Sequence, residues 1–262
     1  MLGLRVQTFS LPKGGYRPEE YEDAWAYDVA ATRLALADGA SSDSFESRLW
    51  AQALVQAFIH APPLPQREAL LTWLDTPIQV WKQGIHWERL PWYAEEKARR
   101  GAFATLLGVT FMWPEAECPE AVGAVVQWQA MAVGDACLFQ VRGADLVAGF
   151  PVAQAADFGM TPALLSTRLD YSHCSLEALG TCAGECIAGD LFVLATDALA
   201  AWFLGQVEAG EHPWQRLLAL TDDTFAALVA TLRQEGAMRN DDVTLVVGWV
   251  IEDMAEPQSD AQ

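Results

Sequence analysis

Apolar residues concentrate in short runs punctuated by Gly, Asp and Asn. Thr32–Ala37, Ala102–Met112, Val122–Val133, Leu191–Thr196 and Val243–Ile251 are dense in Val, Leu, Ala and aromatic residues, and each is predicted as a strand. Cys137–Arg142 adds another, joined to the third by Gly134-Asp135, a dipeptide that predicts a hairpin turn. Ala24–Tyr27 is a shorter strand candidate. Helical periodicity marks Phe45–His60, where Phe45, Leu49, Trp50, Ala53, Leu54, Ala57 and Phe58 share one face behind capping candidates at Ser42, Asp43 and Ser44. Two or three helices are expected between Gln66 and Arg100, interrupted at Pro77 and Pro91. One more spans about Asp223–Gln234 with Phe225, Leu228, Val229 and Leu232 inward. Gly143–Gly189 is less periodic and reads as a surface excursion, and Glu252–Gln262 as a frayed polar end.

Strands, helices, several strands, a helix and a final strand do not alternate as a parallel βαβ sheet requires, so the class is α+β, a sandwich. At 262 residues, 52% of them hydrophobic, the chain can bury a core as one domain over residues 1–252, with 253–262 as a tail. Lys and Arg number 16 against 35 Asp and Glu, a formal charge of -19 that repels nucleic acid and acidic lipid. Met1–Tyr16 lacks a secretory h-region, and Leu191–Leu204 is too short for a membrane span and contains Asp197. With five Cys, an odd number that suits reduced thiols, these features predict a cytoplasmic protein.

The carboxylates sit at strand ends. Asp38 closes one strand in Ala37-Asp38-Gly39 and Asp197 another in Thr196-Asp197-Ala198. Asp241-Asp242 open the last strand, Asp135 lies in the turn, and Glu22-Asp23 precede Ala24–Tyr27. Asp is common wherever a strand stops, so any one of them is unremarkable. If all five sites converge at one end of the sandwich, their repulsion calls for cations, and an all-oxygen set suits Mg²⁺ or Mn²⁺ better than zinc. Two such ions bridged by a carboxylate would generate a hydroxide for in-line attack on phosphorus.

At these residues the sequence resembles the PPM family of metal-dependent, type 2C-like serine/threonine phosphatases. It carries, in the family's order, Arg17, Glu22-Asp23, Asp38-Gly39, Gly101-Ala102-Phe103-Ala104-Thr105-Leu106, Gly134-Asp135, Asp197-Ala198 and Asp241-Asp242-Val243-Thr244. The resemblance, over about residues 14–250, implies a four-layer α-β-β-α sandwich with two central antiparallel sheets. It further implies that Asp38 bridges two metals, that Asp197 and Asp241 complete the first site, and that Glu22 and the Gly39 carbonyl serve the second. Asp135 matches the acid of a third, weaker metal site, and Arg17 the phosphate clamp. Four features differ from the family pattern: Arg17 lies five residues before Glu22 rather than four, Ala198 replaces Gly, Asp242 replaces the commoner Asn, and Asp38-Gly39 is followed by Ala40-Ser41 rather than further Gly or His.

Other chemistries lack their signatures. His173, Cys174, Cys182 and Cys186 have no paired C-x₂-C, and no G-x-S-x-G, P-loop, G-x-G-x-x-G or H-E-x-x-H occurs. Trp73, Trp81, Trp87 and Trp92 cluster in the helical stretch and are expected to pack in the core, a partner-docking surface being the other use of such residues. The expectation is a monomeric, bacterial-type phosphoprotein phosphatase using two or three Mn²⁺ or Mg²⁺ ions on phosphoserine or phosphothreonine. A catalytically silent module that binds a phosphoprotein is the alternative.

Overall fold

β3 shows how the layers arise. Arg33–Ala37 alternates so that Leu34 and Leu36 point into one core while Ala35 and Ala37 point into another, all four wholly buried. A strand buried on both faces needs a sheet on one side and helices on the other. The computed structural model describes residues 2–40, 44–113, 125–159, 161–171 and 176–252. In chain order its strands are β1 (Leu2–Leu11), β2 (Ala24–Asp28), β3 (Arg33–Ala37), β4 (Phe103–Ala104), β5 (Leu106–Met112), β6 (Val126–Val133), β7 (Cys137–Arg142), β8 (Asp145–Phe150), β9 (Leu165–Ser166), β10 (Gly180–Cys186), β11 (Leu191–Ala195) and β12 (Val243–Glu252). They form two five-stranded antiparallel sheets, ordered β1-β12-β11-β7-β8 and β10-β6-β5-β3-β2, plus the short β4-β9 ladder.

Helices α1 (Ser47–His60), α2 (Arg67–Gly84) and α3 (Trp92–Arg100) cover the second sheet. Helices α4 (Asp197–Glu208), α5 (Pro213–Leu217) and α6 (Asp222–Gln234) cover the first. Between the sheets lies a third apolar layer that includes Leu34, Leu107, Phe111, Trp128, Phe192 and Val246. This is the expected α-β-β-α sandwich. A polar clasp crosses that layer. Gln140 on β7 accepts from Trp128 Nε1 (3.0 Å) and donates to the Glu185 carbonyl of β10 (2.9 Å) and to Asp190 (2.8 Å). Asp190, wholly buried, also accepts from Arg142 Nε and Nη2 at 2.8 and 2.7 Å.

Several expectations are corrected. Gly134-Asp135 is not a hairpin turn: β6 and β7 belong to different sheets, and the dipeptide carries the chain from one to the other. Gly134 has φ +108°, and a Cβ there would stand 2.5 Å from Thr105 Cγ2, so only glycine permits the crossing. Ala102–Met112 breaks at Thr105, whose amide and hydroxyl both bond Asp38 rather than a ladder partner (2.8 and 2.9 Å). Gly143–Gly189 contributes β8, β9 and β10. Being edge strands, β8 and β10 half-bury every other residue, bury only Phe150 and Cys186 fully, and are rich in Gly, Ala and polar residues, which hides them. β1, another edge strand, was not predicted for the same reason. Leu191–Leu204 is half strand and half α4.

Helix α1 starts two residues late, after Glu46 at φ 54°, and Ser44 caps nothing: its hydroxyl accepts from Phe103 N at 2.9 Å. Ser42 and Asp43 lie outside the described residues. Pro77 sits inside α2 and does not interrupt it, while Pro91 is the N-cap of α3. Phe225, Leu228, Val229 and Leu232 of α6 are buried as expected. Of the tryptophans, Trp81 is buried and Trp73 packs on the core, but Trp87 and Trp92 are exposed, so core packing accounts for half the cluster. Cys182 and Cys186 lie on β10 as free thiols, whereas His173, Cys174 and the tail 253–262 are outside the described residues. No helix among the described residues is long and apolar enough to cross a membrane.

Candidate active site at the seam of the two sheets

The antiparallel registers decide where the acids meet. In the second sheet Ala24 pairs with Ala37, Leu36 with Leu107 and Leu106 with Val133, so the start of β2, the end of β3, the start of β5 and the end of β6 share one edge of the sandwich. In the first sheet Leu11 pairs with Val243, and Ala195 with both Leu245 and Cys137. The ends of β1 and β11 and the starts of β12 and β7 therefore lie together too. Residues 134–136 join the two groups directly. Glu22, Asp23 and Asp38 hang from one sheet, Asp197, Asp241 and Asp242 from the other, and Asp135 sits on the link.

Hydrogen bonds sew this seam. Asp242 accepts from Glu22 N and Lys13 N, each at 2.8 Å, holding the turn before β2 and the end of β1 onto β12. Thr244 of β12 donates to Asp23 Oδ2 at 2.6 Å, its amide donates to Thr196 Oγ1 at 2.9 Å, and its hydroxyl meets Tyr21 OH. Gly14 N donates to Asn240 Oδ1 at 2.6 Å. Gly39 is needed for close approach, since a Cβ there would fall 2.5 Å from the Glu22 carbonyl oxygen. The Glu22 carboxylate accepts from Ser47 Oγ and has Lys13 Nζ at 4.0 Å. Asp197, the first residue of α4, is paired with Arg239.

The electrostatics are those of crowded negative charge that Arg239 and Lys13 offset only in part. Burial, then Asp23, Asp197, Asp241 and Asp135, push the Asp38 carboxyl well above the usual range. Asp135 is pushed up to about 6 by burial and Asp197, and Asp23 to about 8, mainly by burial and with Asp242 adding to it. The Tyr21 phenol is raised by burial and Asp23. Both carboxylate oxygens of Asp135, together with Asp23 Oδ1 and Asp197 Oδ1, are buried without a hydrogen-bond partner. Buried oxygens are ordinarily paired, so four orphans on one rim mark a place built for something else.

Hard divalent cations suit this donor set, which consists of carboxylates and a backbone carbonyl. Among the described residues, however, no three His, Cys, Asp or Glu side chains already stand in coordinating geometry. The oxygens are assembled on one rim but not drawn into a shell. Of the residues expected from sequence, Asp38, Asp135, Asp197 and Asp241 feel one another's charge, and Glu22 and Gly39 lie side by side. Arg17 is exposed, its amide taken by Glu20 Oε2 at 2.9 Å, and its guanidinium makes no hydrogen bond or ion pair among the described residues. Sequence reasoning missed Lys13, Tyr21, Ser47 and Arg239. Only Arg239 carried a signal, standing two residues before Asp241.

No protein-family model matches the chain, and no curated protein matches it in sequence. Solved structures match it in shape. The catalytic domain of the serine/threonine protein phosphatase PstP, in complex with two manganese ions, is 18% identical, with 96% of this chain and 100% of that one covered and a TM-score of 0.54. The chain has the fold of the PPM-family phosphatases. PppA, a key regulatory component of the type VI secretion system in Pseudomonas aeruginosa, is 17% identical, with 96% and 100% covered and a TM-score of 0.53. The photosystem II phosphatase PBCP is 14% identical, with 95% and 99% covered and a TM-score of 0.56. The PPM fold thus spans nearly the whole chain, and the acid rim lies where its two sheets meet.

Proposed function

We propose that the protein is a divalent-cation-dependent phosphoprotein phosphatase acting on phosphoserine or phosphothreonine. The observation that carries this reading is the set of buried, unpartnered carboxylate oxygens of Asp23, Asp135 and Asp197 on the seam of a PPM fold. Asp38, Asp197 and Asp241 would hold one cation, Asp38, Glu22 and the Gly39 carbonyl a second, and Asp135 would contribute to a third. Bound there, the cations supply Lewis-acid charge for a phosphoryl group and lower the pKa of water. The chain's own part is to fix the donors. Thr105 holds the Asp38 backbone from both sides, Ser47 orients Glu22, and Asp242 keeps Glu22 on the rim. Thr244 and Tyr21 form a hydrogen-bonded wall beside Asp23, whose carboxyl burial pushes up to about 8.

The formal charge of -19 disfavours nucleic acid or an acidic membrane as partner, and the free thiols of Cys137, Cys182 and Cys186 suit a cytoplasmic location. The silent phosphoprotein-binding module draws support from the Arg239 pairing with Asp197, which sets a guanidinium where a cation would bind. Hydrolysis of p-nitrophenyl phosphate and of a phosphoserine peptide with Mn²⁺, with Mg²⁺ and with EDTA decides between the two. Metal-dependent turnover abolished by EDTA is expected. Turnover undiminished in EDTA sinks the metal reading, and none under any condition leaves the silent module.

A further inference from the structure

Helix α3 and the 3₁₀ turn Trp87–Arg89 ahead of it carry aromatic and basic residues on a shoulder of the acid rim. Trp92, the first residue of α3, is 83% exposed, and Trp87 is half-exposed. Trp87 is nevertheless held in place: its ring meets the buried Trp81 edge-on at 5.8 Å, and its Nε1 donates to the Lys82 carbonyl at 2.9 Å. Between it and α3 lies an open groove of about 390 Å³ lined by Trp87, Leu90, Glu95, Ala98 and Arg99. The charge of this stretch is opposite to that of the chain. Residues 82–100 hold five of the 16 Lys and Arg but only three of the 35 acids. Lys97, Arg99 and Arg100 stand exposed in the last turn of α3. Arg99 and Arg100 pair with Glu95 and Glu96 at 3.7 and 2.9 Å, but exposed pairs of this kind hold little and yield to another carboxylate.

We propose that this shoulder docks the polypeptide around the substrate's phosphoresidue and selects acidic segments that carry an aromatic or aliphatic anchor. The inference rests on the phosphatase reading and names its substrate class. Tryptophan and arginine beside an apolar groove are the residues that dominate protein recognition, and a ring already fixed loses little freedom on binding. Salt screens exposed charges beyond about 8 Å, so a docked segment meets Lys97, Arg99 and Arg100 rather than the overall charge of -19. The shoulder is also within reach of the rim. Just past α3, the Gly101 carbonyl accepts from Phe45 N and the Phe103 carbonyl from Ala40 N, each at 3.0 Å, and Thr105 N donates to the Asp38 carbonyl. The chain from Arg99 to Thr105 spans at most about 20 Å and α3 adds about 13 Å, so an extended arm of about six to ten residues joins a phosphoresidue at the rim to this surface.

The test uses two phosphoserine peptides that differ only in an arm about six to ten residues from the phosphoresidue, one arm of Glu, Asp and Phe and the other of Gln, Ser and Gly. With Mn²⁺ present, kcat and KM are measured for wild type, Trp92→Ala and the Lys97→Glu/Arg99→Glu double variant. Binding of each arm, as a fluorescein-labelled peptide without phosphate, is read by anisotropy on the same proteins. All three side chains are exposed, so the variants should keep the wild-type circular dichroism. A wild-type preference of about ten-fold or more for the acidic arm, carried in KM and in arm affinity, is expected, and each variant should lose most of it. Equal affinity of the wild type for the two arms overturns the proposal. So does a loss of rate that is the same for both peptides, since these residues would then act only on the fold. Self-association in sedimentation that Trp92→Ala abolishes assigns the surface to a second copy and overturns it as well. Acidic-arm binding by the wild type that the variants lose, with neither peptide hydrolysed, upholds the docking surface and rejects the phosphatase reading.

Discussion

Replacing Asp135 by Asn should stabilise the metal-free protein. Asp135 is 6% exposed, neither of its oxygens has a partner, and its pKa rises from 3.8 to about 6, mainly through burial and then through Asp197. A carboxyl that holds its proton more tightly folded than unfolded costs nothing below about pH 4. The cost grows between about pH 4 and 6 and is constant above about pH 6. At 1.36 kcal/mol per pH unit the plateau is about 3 kcal/mol. Asparagine keeps the shape and removes the charge, but it leaves an amide short of partners, so a gain of about 1–3 kcal/mol remains. Urea denaturation followed by circular dichroism, with EDTA present, should show Asp135→Asn above wild type at about pH 8 and, near pH 4, between level with it and about 2 kcal/mol below it. Divalent metal should narrow or reverse the order, since a ligand at a hundred times its Kd stabilises the fold by about 2.7 kcal/mol and the variant has lost a donor. Equal or lower stability of the variant at pH 8 in EDTA would refute the reasoning, because Asp135 would then be neither desolvated nor repelled.

Asp38→Ala and Asp197→Ala should each lower metal-dependent hydrolysis by about a hundred-fold or more, about 2.7 kcal/mol in the barrier, with the fold retained by circular dichroism; near-wild-type rates in both would reduce these acids to strand ends. Gly134→Ala forces a side chain onto Thr105 at φ +108° and should cost about 2 kcal/mol, a fall of about 4–8 °C in Tm. Arg142→Ala strands the buried Asp190 charge and should cost about 3 kcal/mol in urea denaturation, despite the arginine's 42% side-chain exposure.

The elements legible in the sequence were those buried on both faces or along a wide stripe. β3, β5, β11, β12, α1 and α6 carry dense apolar patterns because a layer covers each side, or because one helix face fills a core. The edge strands β1, β8 and β10 need apolar residues on one face at most, and their ladders are backbone bonds that leave no mark on composition. The acid rim was legible as a set because each carboxylate follows or precedes a readable strand, while its compensating groups were not. Ser47 and Lys13 reach the rim through tertiary contacts, and nothing local distinguishes them from solvated residues, while Arg239 is marked only by standing two residues before Asp241. The error at Gly134-Asp135 was of another kind: a glycine at positive φ signals a sharp change of direction but not which sheet receives the next strand.

A rim whose two walls belong to different sheets works as a gauge of the gap between them. That gap is set by aromatic spacers, with Phe192 meeting Phe111 and Trp128 edge-on at ring-centroid distances of 4.8 and 5.6 Å. Shortening any of these rings lets the opposing carboxylates settle into a different separation, even though no spacer belongs to the rim itself. The width of the site is thus inherited from the interior, and selection for activity reaches core positions that never meet a ligand.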